Sequence, residues 1–394
     1  MNELPPVIAA KAAEDVYALT KTNTLENALL TLNNKYGGLL TFPFSDDNLL
    51  KGKTGGPAFI KARTAFGFVL VGKGALEGHA FIIFRGTQYL ADWLTNLNIS
   101  SSSSDSGWNV HDGFNKSFKS MSSQITHFMG LLNKYNIHTI NCIGHSLGGA
   151  LATICGEWIK ANYDRTPKIY TFGSPRVGQY DFATFCTSSV GAKNIYRAFH
   201  KTDIVPCIPI WPYIHTPIYG KEYWLHSPGL IPMAEYHGMD KYVDSVKGKT
   251  WDYLSGLREA YKSDASIIQW LKEKGISGIT VSALDWLTHA LIWVLKKCSQ
   301  GANWLALKSF GPNFTFMDQL SYILARGINI IEGAGEWVLY LVNKILHILG
   351  GVASVKIEDL NSQFISEVLK NLQHRVNQFT RDTLSKVLVN GRAI

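Results

Sequence analysis

Apolar and polar positions follow two different patterns along this chain. Up to about residue 248, short apolar runs typical of strands alternate with longer stretches of helical periodicity. The apolar runs predict strands over Thr64–Gly72, His79–Phe84, Asn136–Ile143, Lys168–Phe172 and Asn194–Phe199. Strands that alternate with helices favour a largely parallel α/β sheet. Beyond this region almost every segment has helical periodicity, so we predict an α/β domain over residues 1–250 and an all-helical domain over residues 251–394.

Three further segments complete the predicted element order. Residues Ile8–Tyr36 and Gly113–Tyr135 have the periodicity of helices, and the run Ser100–Ser104 predicts a flexible surface loop.

The helical domain carries two apolar stripes on a 3.6-residue period. The first consists of Leu284, Leu287, Leu291 and Leu295, and the second of Val338, Leu341, Val342, Ile345 and Leu349. Such stripes indicate helices that pack on each other or on the α/β domain. The alternative is docking to a bilayer through nearby tryptophans and lysines, namely Trp286, Trp293, Trp304, Lys296, Lys297, Lys308 and Lys344. Polar residues interrupt both stripes, so neither predicts a membrane-spanning helix.

The stretch Cys142–Ala150 carries the strongest chemical signal. An apolar run leads into Gly144-His145-Ser146-Leu147-Gly148, and a helical pattern follows. Glycines two positions before and after the serine allow the strained turn that lifts a hydroxyl above a sheet edge, at a helix N-terminus. A glycine-rich structural turn is the alternative, which the strand before and the helix after disfavour. We therefore predict that Ser146 is a nucleophile.

A serine nucleophile needs a histidine base and a carboxylate that orients the base. Asp203 directly follows a predicted strand, where the carboxylate of such a site belongs, although a lone loop aspartate could also cap a turn. The downstream histidines are His215, His226, His237 and His289. We predict His237 as the base because it immediately precedes a helix, and His226 is the alternative. His145 points away from the nucleophile by alternation and is predicted to be a packing residue.

An oxyanion hole needs two backbone N–H groups. One comes from Leu147, which follows the nucleophile, and we expect the other from Thr87 in the loop Phe84–Thr87, although Gly86-Thr87 could be an ordinary turn. This chemistry needs no cofactor, and the spacing of the five cysteines predicts neither a metal site nor a disulfide framework.

Charge and the N-terminal residues bear on partners and location. The net charge of +8 is spread without basic runs, so we expect no nucleic-acid partner, whereas weak attraction to an anionic membrane surface is compatible with it. Residues Met1–Lys11 lack a basic region followed by an apolar core, so we expect no secretory signal. The sequence thus predicts synthesis in the cytoplasm, with a dedicated export route if the protein acts at membranes elsewhere.

Taken together, six segments resemble the class 3 lipase family, which includes fungal triacylglycerol lipases, within the α/β-hydrolase superfamily. They are Phe84–Thr87 with Asp92–Leu94, His111–Phe114, Gly144–Ala150, Thr171–Gly178, Thr202–Pro206, and Glu222–Trp224 ahead of His237. The resemblance covers about residues 8–248. It implies an α/β-hydrolase fold, a catalytic triad of Ser146, Asp203 and His237, oxyanion donors at Thr87 and Leu147, and a mobile lid around Gln88–Leu97.

The helical domain has no counterpart in the secreted fungal enzymes. By architecture the chain resembles antibacterial phospholipase effectors that contact-dependent secretion systems deliver, which implies a neutralising (immunity) protein as a possible partner. We expect a lipid acyl ester as substrate, with apolar residues such as Tyr89, Leu90, Trp93, Leu94 and Trp108 near the acyl chain. Phospholipid is preferred over triacylglycerol. The competing function is a non-enzymatic lipid-binding or membrane-permeabilising protein on a hydrolase scaffold.

Overall fold

The computed structural model describes residues 3–21, 40–41, 49–52, 64–87, 100–218, 220–257, 262–273, 277–299, 315–351 and 355–388. The strands are β1 (Leu40–Thr41), β2 (Leu49–Gly52), β3 (Thr64–Gly72), β4 (His79–Phe84), β5 (Ser101–Ser103), β6 (Asn109–His111), β7 (Thr139–His145), β8 (Lys168–Phe172), β9 (Ile195–His200) and β10 (Tyr223–Leu225).

The α-helices fall into two groups. The first group belongs to residues 3–257, which we call the hydrolase part after the resemblance described above. Its helices are α1 (Pro6–Asp15), α2 (Ala18–Lys21), α3 (Asp112–Lys119), α4 (Ser122–Leu131), α5 (Leu147–Asn162), α6 (Tyr180–Cys186), α7 (Met239–Val246) and α8 (Trp251–Ser255). Those of the C-terminal helical region are α9 (Asp264–Lys272), α10 (Val281–Cys298), α11 (Phe316–Ile330), α12 (Ala334–Ile348) and α13 (Ser362–Leu388). Two short 3₁₀ turns, Val205–Cys207 and Ala234–His237, lie beside the candidate site.

The main sheet has eight strands in the order β1-β3-β4-β7-β8-β9-β10, with β2 also paired to β3. Pairing is antiparallel from β1 to β4 and parallel from β4 to β10. The predicted α/β class with a mostly parallel central sheet is confirmed. Because β7, β8 and β9 run in the same direction, the loops that follow them meet at one edge, which is where an α/β protein builds its site.

Two apolar cores cover the two faces of this sheet. One core packs α3, α4 and α5 against the sheet through buried side chains such as Phe114, Phe118 and Leu151. The other packs α1, α7 and α8 against the opposite face. The sheet is therefore shielded from water on both sides, as its long apolar strands require.

The serine run does not form the flexible loop that we predicted. Ser101–Ser103 form strand β5, which pairs in antiparallel fashion with β6. The amide of Asn115 donates to the Ser102 hydroxyl and to the Ser103 carbonyl, each at 2.8 Å. Small hydroxyl side chains are compatible with a strand when neighbouring groups supply hydrogen bonds, and composition alone does not reveal such neighbours.

The helical region forms a third apolar core that extends into the hydrolase part. Both predicted stripes contribute to it, and Leu284, Leu287, Leu291, Leu295, Val338, Leu341, Val342 and Ile345 are buried. Residues that follow β9, including Val205, Ile208 and Trp211, belong to the same core. The stripes therefore pack on each other and on the hydrolase part. The domain boundary near residue 250 stays a prediction. Within the described ranges, no helix is long and apolar enough to cross a membrane.

Candidate active site

Ser146 lies at the sharp turn between β7 and α5. Its backbone has φ of 55° and ψ of −129°, and no other non-glycine residue among those described has a positive φ. A methyl group at Gly144 would lie 2.0 Å from the Gly148 carbonyl oxygen, and one at Gly148 would lie 2.2 Å from that of Phe84. Both flanking glycines are therefore required by the close approach of the backbone, as the sequence motif predicts.

A hydrogen-bonded chain of three side chains starts at Ser146. His237 Nε2 lies 3.0 Å from Ser146 Oγ, and His237 Nδ1 lies 2.8 Å from Asp203 Oδ2. All three residues are buried. A carboxylate only accepts hydrogen bonds, so Nδ1 carries the proton and Nε2 offers its lone pair to the serine hydroxyl. The structure thus brings together the three residues that the sequence predicts for the triad.

The Asp203 carboxylate has three hydrogen-bond donors. Besides His237, the Tyr242 hydroxyl donates to Oδ2 at 2.6 Å and the Val205 N–H donates to Oδ1 at 3.0 Å. Burial and the charge of Asp203 raise the pKa of Tyr242 well above its ordinary value, so the phenol keeps its proton. Three donors around one carboxylate fix its orientation toward His237. Sequence reasoning missed Tyr242, which lies on α7 one turn beyond His237.

Gly173 is a second residue whose role appears only in three dimensions. It has φ of 57°, and a methyl group there would lie 2.8 Å from Asp203 Oδ2 and 3.1 Å from His237 Nδ1. The motif that ends β8 therefore needs glycine because the side chains of Asp203 and His237 pass directly over its backbone.

The loop Phe84–Thr87 passes close to Ser146. A methyl group at Gly86 would lie 3.0 Å from Ser146 Cβ. Arg85 holds the loop from the other side by donating to the carbonyls of Ala65 and Gly86. Thr87 is buried at the end of this loop, and Leu147 begins α5, whose first N–H groups lack partners within the helix. The loop that ends at Thr87 thus passes close to Ser146, and Leu147 directly follows Ser146 in the chain.

The remaining histidines have other surroundings. His145 is buried behind the triad, where Nε2 lies 2.7 Å from the His237 carbonyl oxygen and Nδ1 lies 2.7 Å from the Tyr17 hydroxyl. His215 stacks on Phe199, His226 is exposed, and His289 bonds to the Asp285 carbonyl of its own helix. Burial, followed by the positive charges of Arg197 and Arg176, holds the pKa of His215 well below its ordinary value. Ser146 Oγ pairs with His237 and with none of these histidines.

Most of the predicted lid and acyl-site residues lie outside the described part of the chain. This applies to Gln88–Leu97, and hence to Tyr89, Leu90, Trp93 and Leu94. Trp108 is described, and its ring stacks on Phe185 at 4.8 Å beside the core that contains α5. Trp108 is therefore a packing residue in this structure.

Comparisons with known proteins identify lipases as similar to this chain. Residues 81–213 match the model of the family "Lipase (class 3)". A secreted mono- and diacylglycerol lipase of Fusarium solani is 36% identical over 147 residues, which are 36% of this chain and 42% of that protein. A lipase of Rhizomucor miehei is 29% identical over 176 residues, covering 42% of this chain and 47% of that protein. The chain thus spans less than half the length of these relatives.

Among solved structures, the triacylglyceride lipase of Rhizomucor miehei aligns with a TM-score of 0.35 and 28% identity, covering 40% of this chain and 62% of that one. The Yarrowia lipolytica LIP2 lipase aligns with a TM-score of 0.45 and 22% identity, covering 58% and 80%.

The comparisons also correct one prediction. We expected synthesis in the cytoplasm without a secretory signal, but relatives from Fusarium solani and from Penicillium cyclopium are secreted lipases. The cytoplasmic localisation is therefore wrong. The expectation depended on the composition of the first eleven residues, whereas the similarity to a secreted relative extends over 147 residues. Over residues 81–213, the chain is thus similar to the class 3 lipase family.

Proposed function

We propose that this protein is a serine carboxylester hydrolase that acts on the acyl esters of lipids. Ser146 is the nucleophile, His237 the general base and acid, Asp203 the carboxylate that orients it, and the N–H groups of Leu147 and Thr87 bind the oxyanion. The observation that carries this proposal is the unbroken chain from Ser146 Oγ through His237 to Asp203, at 3.0 and 2.8 Å, on a strained turn that begins a helix.

The reaction proceeds in two half-reactions on this frame. His237 Nε2 takes the Ser146 proton as Oγ attacks the ester carbonyl, and the oxyanion that forms is bound by the two N–H groups. His237 then returns the proton to the leaving alcohol, which leaves an acyl group on Ser146. Water attacks this ester by the same route and releases the fatty acid. Asp203 accepts the hydrogen bond from His237 Nδ1 throughout and stabilises the imidazolium.

Ser146→Ala tests the enzyme against the non-enzymatic alternative, a lipid-binding protein on a hydrolase scaffold. On soluble p-nitrophenyl butyrate, loss of the nucleophile is expected to lower kcat on the order of 10⁶-fold. His237→Ala is expected to match it, whereas His215→Ala and His226→Ala retain turnover when folded. Equal rates for wild type and Ser146→Ala would refute the enzyme proposal, and an inactive, folded His226 variant beside an active His237 variant would reassign the base.

The preferred lipid is a separate proposal. Relatives are named as mono- and diacylglycerol lipases, which supports a neutral glycerolipid. The sequence-based preference for phospholipid depended on a cytoplasmic origin, so that support is lost. Phospholipase activity, like an effector role with a neutralising partner, stays a prediction. Incubation with defined diacylglycerols, triacylglycerols and phospholipids, followed by mass spectrometry of the products, separates these substrates. Release of fatty acid from phospholipid alone would overturn the neutral-lipid choice.

Contact with a lipid surface is supported by an exposed apolar tip, residues 228–231. Leu230 is 54% exposed and Ile231 is 69% exposed. The segment 226–234 contains no Asp, Glu, Lys or Arg. Its two ends are tied to Thr202, whose N–H donates to Ser227 Oγ and whose carbonyl accepts from the Met233 N–H, each at 2.9 Å. Both ends of the tip are thus anchored to Thr202, the residue before Asp203, and the turn that carries His237 follows the tip in the chain.

An uncharged tip inserts through the hydrophobic effect, so its binding does not depend on anionic lipid. Burial of each side chain is worth about 1.5–3 kcal/mol, and Leu230→Ser with Ile231→Ser should lower partitioning to neutral vesicles at least about 10-fold. Leu257→Ser with Ile357→Ser is the matched control, because those side chains are 43% and 41% exposed elsewhere. Turnover of soluble ester should be unchanged in both. Equal vesicle binding by both pairs would remove the tip from the proposal without touching the enzyme activity.

A further inference from the structure

A partly buried polar network joins the oxyanion loop to the turn that carries His237. The Gly86 N–H donates to the Tyr17 hydroxyl at 3.0 Å, and that hydroxyl lies 2.7 Å from His145 Nδ1. His145 Nε2 in turn lies 2.7 Å from the carbonyl oxygen of His237. Four segments that are far apart in sequence are therefore connected by three consecutive hydrogen bonds. Tyr17, just after α1, lies outside the residues that the family model matches.

The protons of this network can be assigned from its donors and acceptors. The His237 carbonyl only accepts, so His145 Nε2 carries a proton and donates it. Burial, followed by the nearby His237, holds the pKa of His145 well below its ordinary value, so the ring is neutral and Nδ1 accepts. Burial raises the pKa of Tyr17, so its O–H remains protonated and donates to Nδ1. Its oxygen lone pair is then available to the Gly86 N–H, and every member has a matching partner.

The geometry of the site depends on both ends of this network. At one end, a methyl group at Gly86 would lie 2.3 Å from the Tyr17 oxygen and 3.0 Å from Ser146 Cβ, so the loop is confined between the two residues. The orientation of the Gly86 backbone sets the direction of the next N–H, that of Thr87. At the other end, the fixed His237 carbonyl limits where the imidazole of the same residue can lie.

We propose that Tyr17 and His145 are positioning residues that hold the oxyanion loop and the His237 turn at a fixed separation around Ser146. This inference rests on the proposed hydrolase function. Misplacement of catalytic groups by about 1 Å is enough to cost on the order of 100-fold in rate. The network therefore contributes to catalysis without any of its side chains touching the substrate.

Tyr17→Phe is the first test, since it removes one hydroxyl and leaves the ring. We expect kcat on p-nitrophenyl butyrate to fall about 10- to 100-fold with KM nearly unchanged, because an oxyanion donor acts on the transition state. The affinity for an alkyl boronic acid, which mimics the tetrahedral state, should fall in parallel. Tyr213→Phe is the matched control, because its hydroxyl also makes a partly buried bond, 3.0 Å to the Ser100 carbonyl. It should leave kcat within about 2-fold.

A double-mutant cycle separates positioning from general destabilisation. His145→Gln keeps a donor for the His237 carbonyl and breaks the contact with Tyr17, so it should resemble Tyr17→Phe. The double variant should be no slower than either single one, since both break the same connection. His145→Ala also frees the His237 turn and should be slower than His145→Gln.

Rates are measured per active site and well below the melting temperature of each variant. The comparison is made only after Ser146→Ala has been shown to abolish turnover. If Ser146→Ala kept wild-type turnover, the hydrolase proposal would fail, and this result is independent of the Tyr17 and His145 variants. A Tyr17→Phe enzyme with wild-type kcat, or multiplicative losses in the cycle, would overturn the positioning role.

Discussion

The hydrolase part and the C-terminal helical region use buried polar groups in opposite ways. In the hydrolase part, buried Ser, His, Asp and Tyr side chains form networks that meet at the carboxyl edge of the sheet, around Ser146. The helical region is built mainly from apolar stripes, and its buried Asp285 is paired with Lys262. Directional bonds hold atoms in place for chemistry, whereas apolar burial is non-directional and supplies cohesion.

The two regions meet at the loop after Asp203. The turn Val205–Cys207 and the residues after it lie in the same core as α10, and Cys207 Sγ lies 3.8 Å from the Val281 carbonyl oxygen. Arg176 is fully buried on the hydrolase side, where the charge of Asp285 partly offsets the cost of its burial. The helical region therefore contacts the loop that follows Asp203 and supports the position of this carboxylate indirectly.

Removal of the helical region should lower stability and activity more than any of the other changes proposed below. A protein that ends at Gly256, just after α8, exposes Ile204, Val205, Ile208, Trp211 and other buried residues of the shared core. Each exposed large side chain costs about 1.5–3 kcal/mol, which together exceeds the stability of an ordinary domain. We expect aggregation and no ester hydrolysis, measured by size-exclusion chromatography, circular dichroism and the p-nitrophenyl butyrate assay. A folded monomer with wild-type kcat would show that the two regions are independent.

Asp203→Asn tests the directional hydrogen bond between Asp203 and His237 in the hydrolase part. The amide can present an N–H to His237, which favours the wrong tautomer of the imidazole, so kcat should fall about 10⁴-fold. The fold should persist because the side chain keeps its shape. Stopped assays on active-site-titrated enzyme measure the loss, and the melting temperature serves as control. A folded variant with less than about 10-fold loss would contradict the assigned role.

Asp285→Asn tests the charge pair at the junction. Although burial alone raises it, the pKa of Asp285 lies below its ordinary value because of the Lys262 ammonium and neighbouring positive groups. Stability from this carboxylate is present at neutral pH and is lost as pH falls through its low pKa. Removal of one partner of a buried pair costs about 3–5 kcal/mol. Urea unfolding at pH 7 should show this loss, and the gap between variant and wild type should narrow in acid.

Glu157 on α5 should have the smallest effect on stability, and its pH dependence has the opposite sign to that of Asp285. Burial raises its pKa from 4.5 to about 7, opposed by the Ser106 hydroxyl and reinforced by Asp105. The folded state then holds a proton that the unfolded chain releases, so stability is full below pH 4.5 and falls as pH rises to about 7. The shift corresponds to about 3 kcal/mol, which Glu157→Gln should abolish. Urea unfolding of both proteins at pH 5 and pH 8 measures it, and parallel pH profiles would contradict it.

Much of the fold could be predicted from local patterns. Strands Thr64–Gly72, His79–Phe84 and Lys168–Phe172 have the bounds that the apolar runs predict. The predicted long helix Gly113–Tyr135 is instead divided into α3 and α4, and β10 was not predicted at all. A three-residue strand has too few positions to show an alternation, so only its parallel neighbour β9 identifies it.

The sequence by itself determined the strained turn at Ser146, because the glycines that permit it lie within two residues of it. The chain order of serine, aspartate and histidine likewise follows from the sequence. Only the tertiary structure decided that His237 rather than His215 or His226 reaches Ser146, across 91 residues. It also decided that Tyr17 and Tyr242 support the site and that the apolar stripes are buried. Local backbone geometry is set by neighbouring residues, whereas these contacts depend on how the whole chain packs.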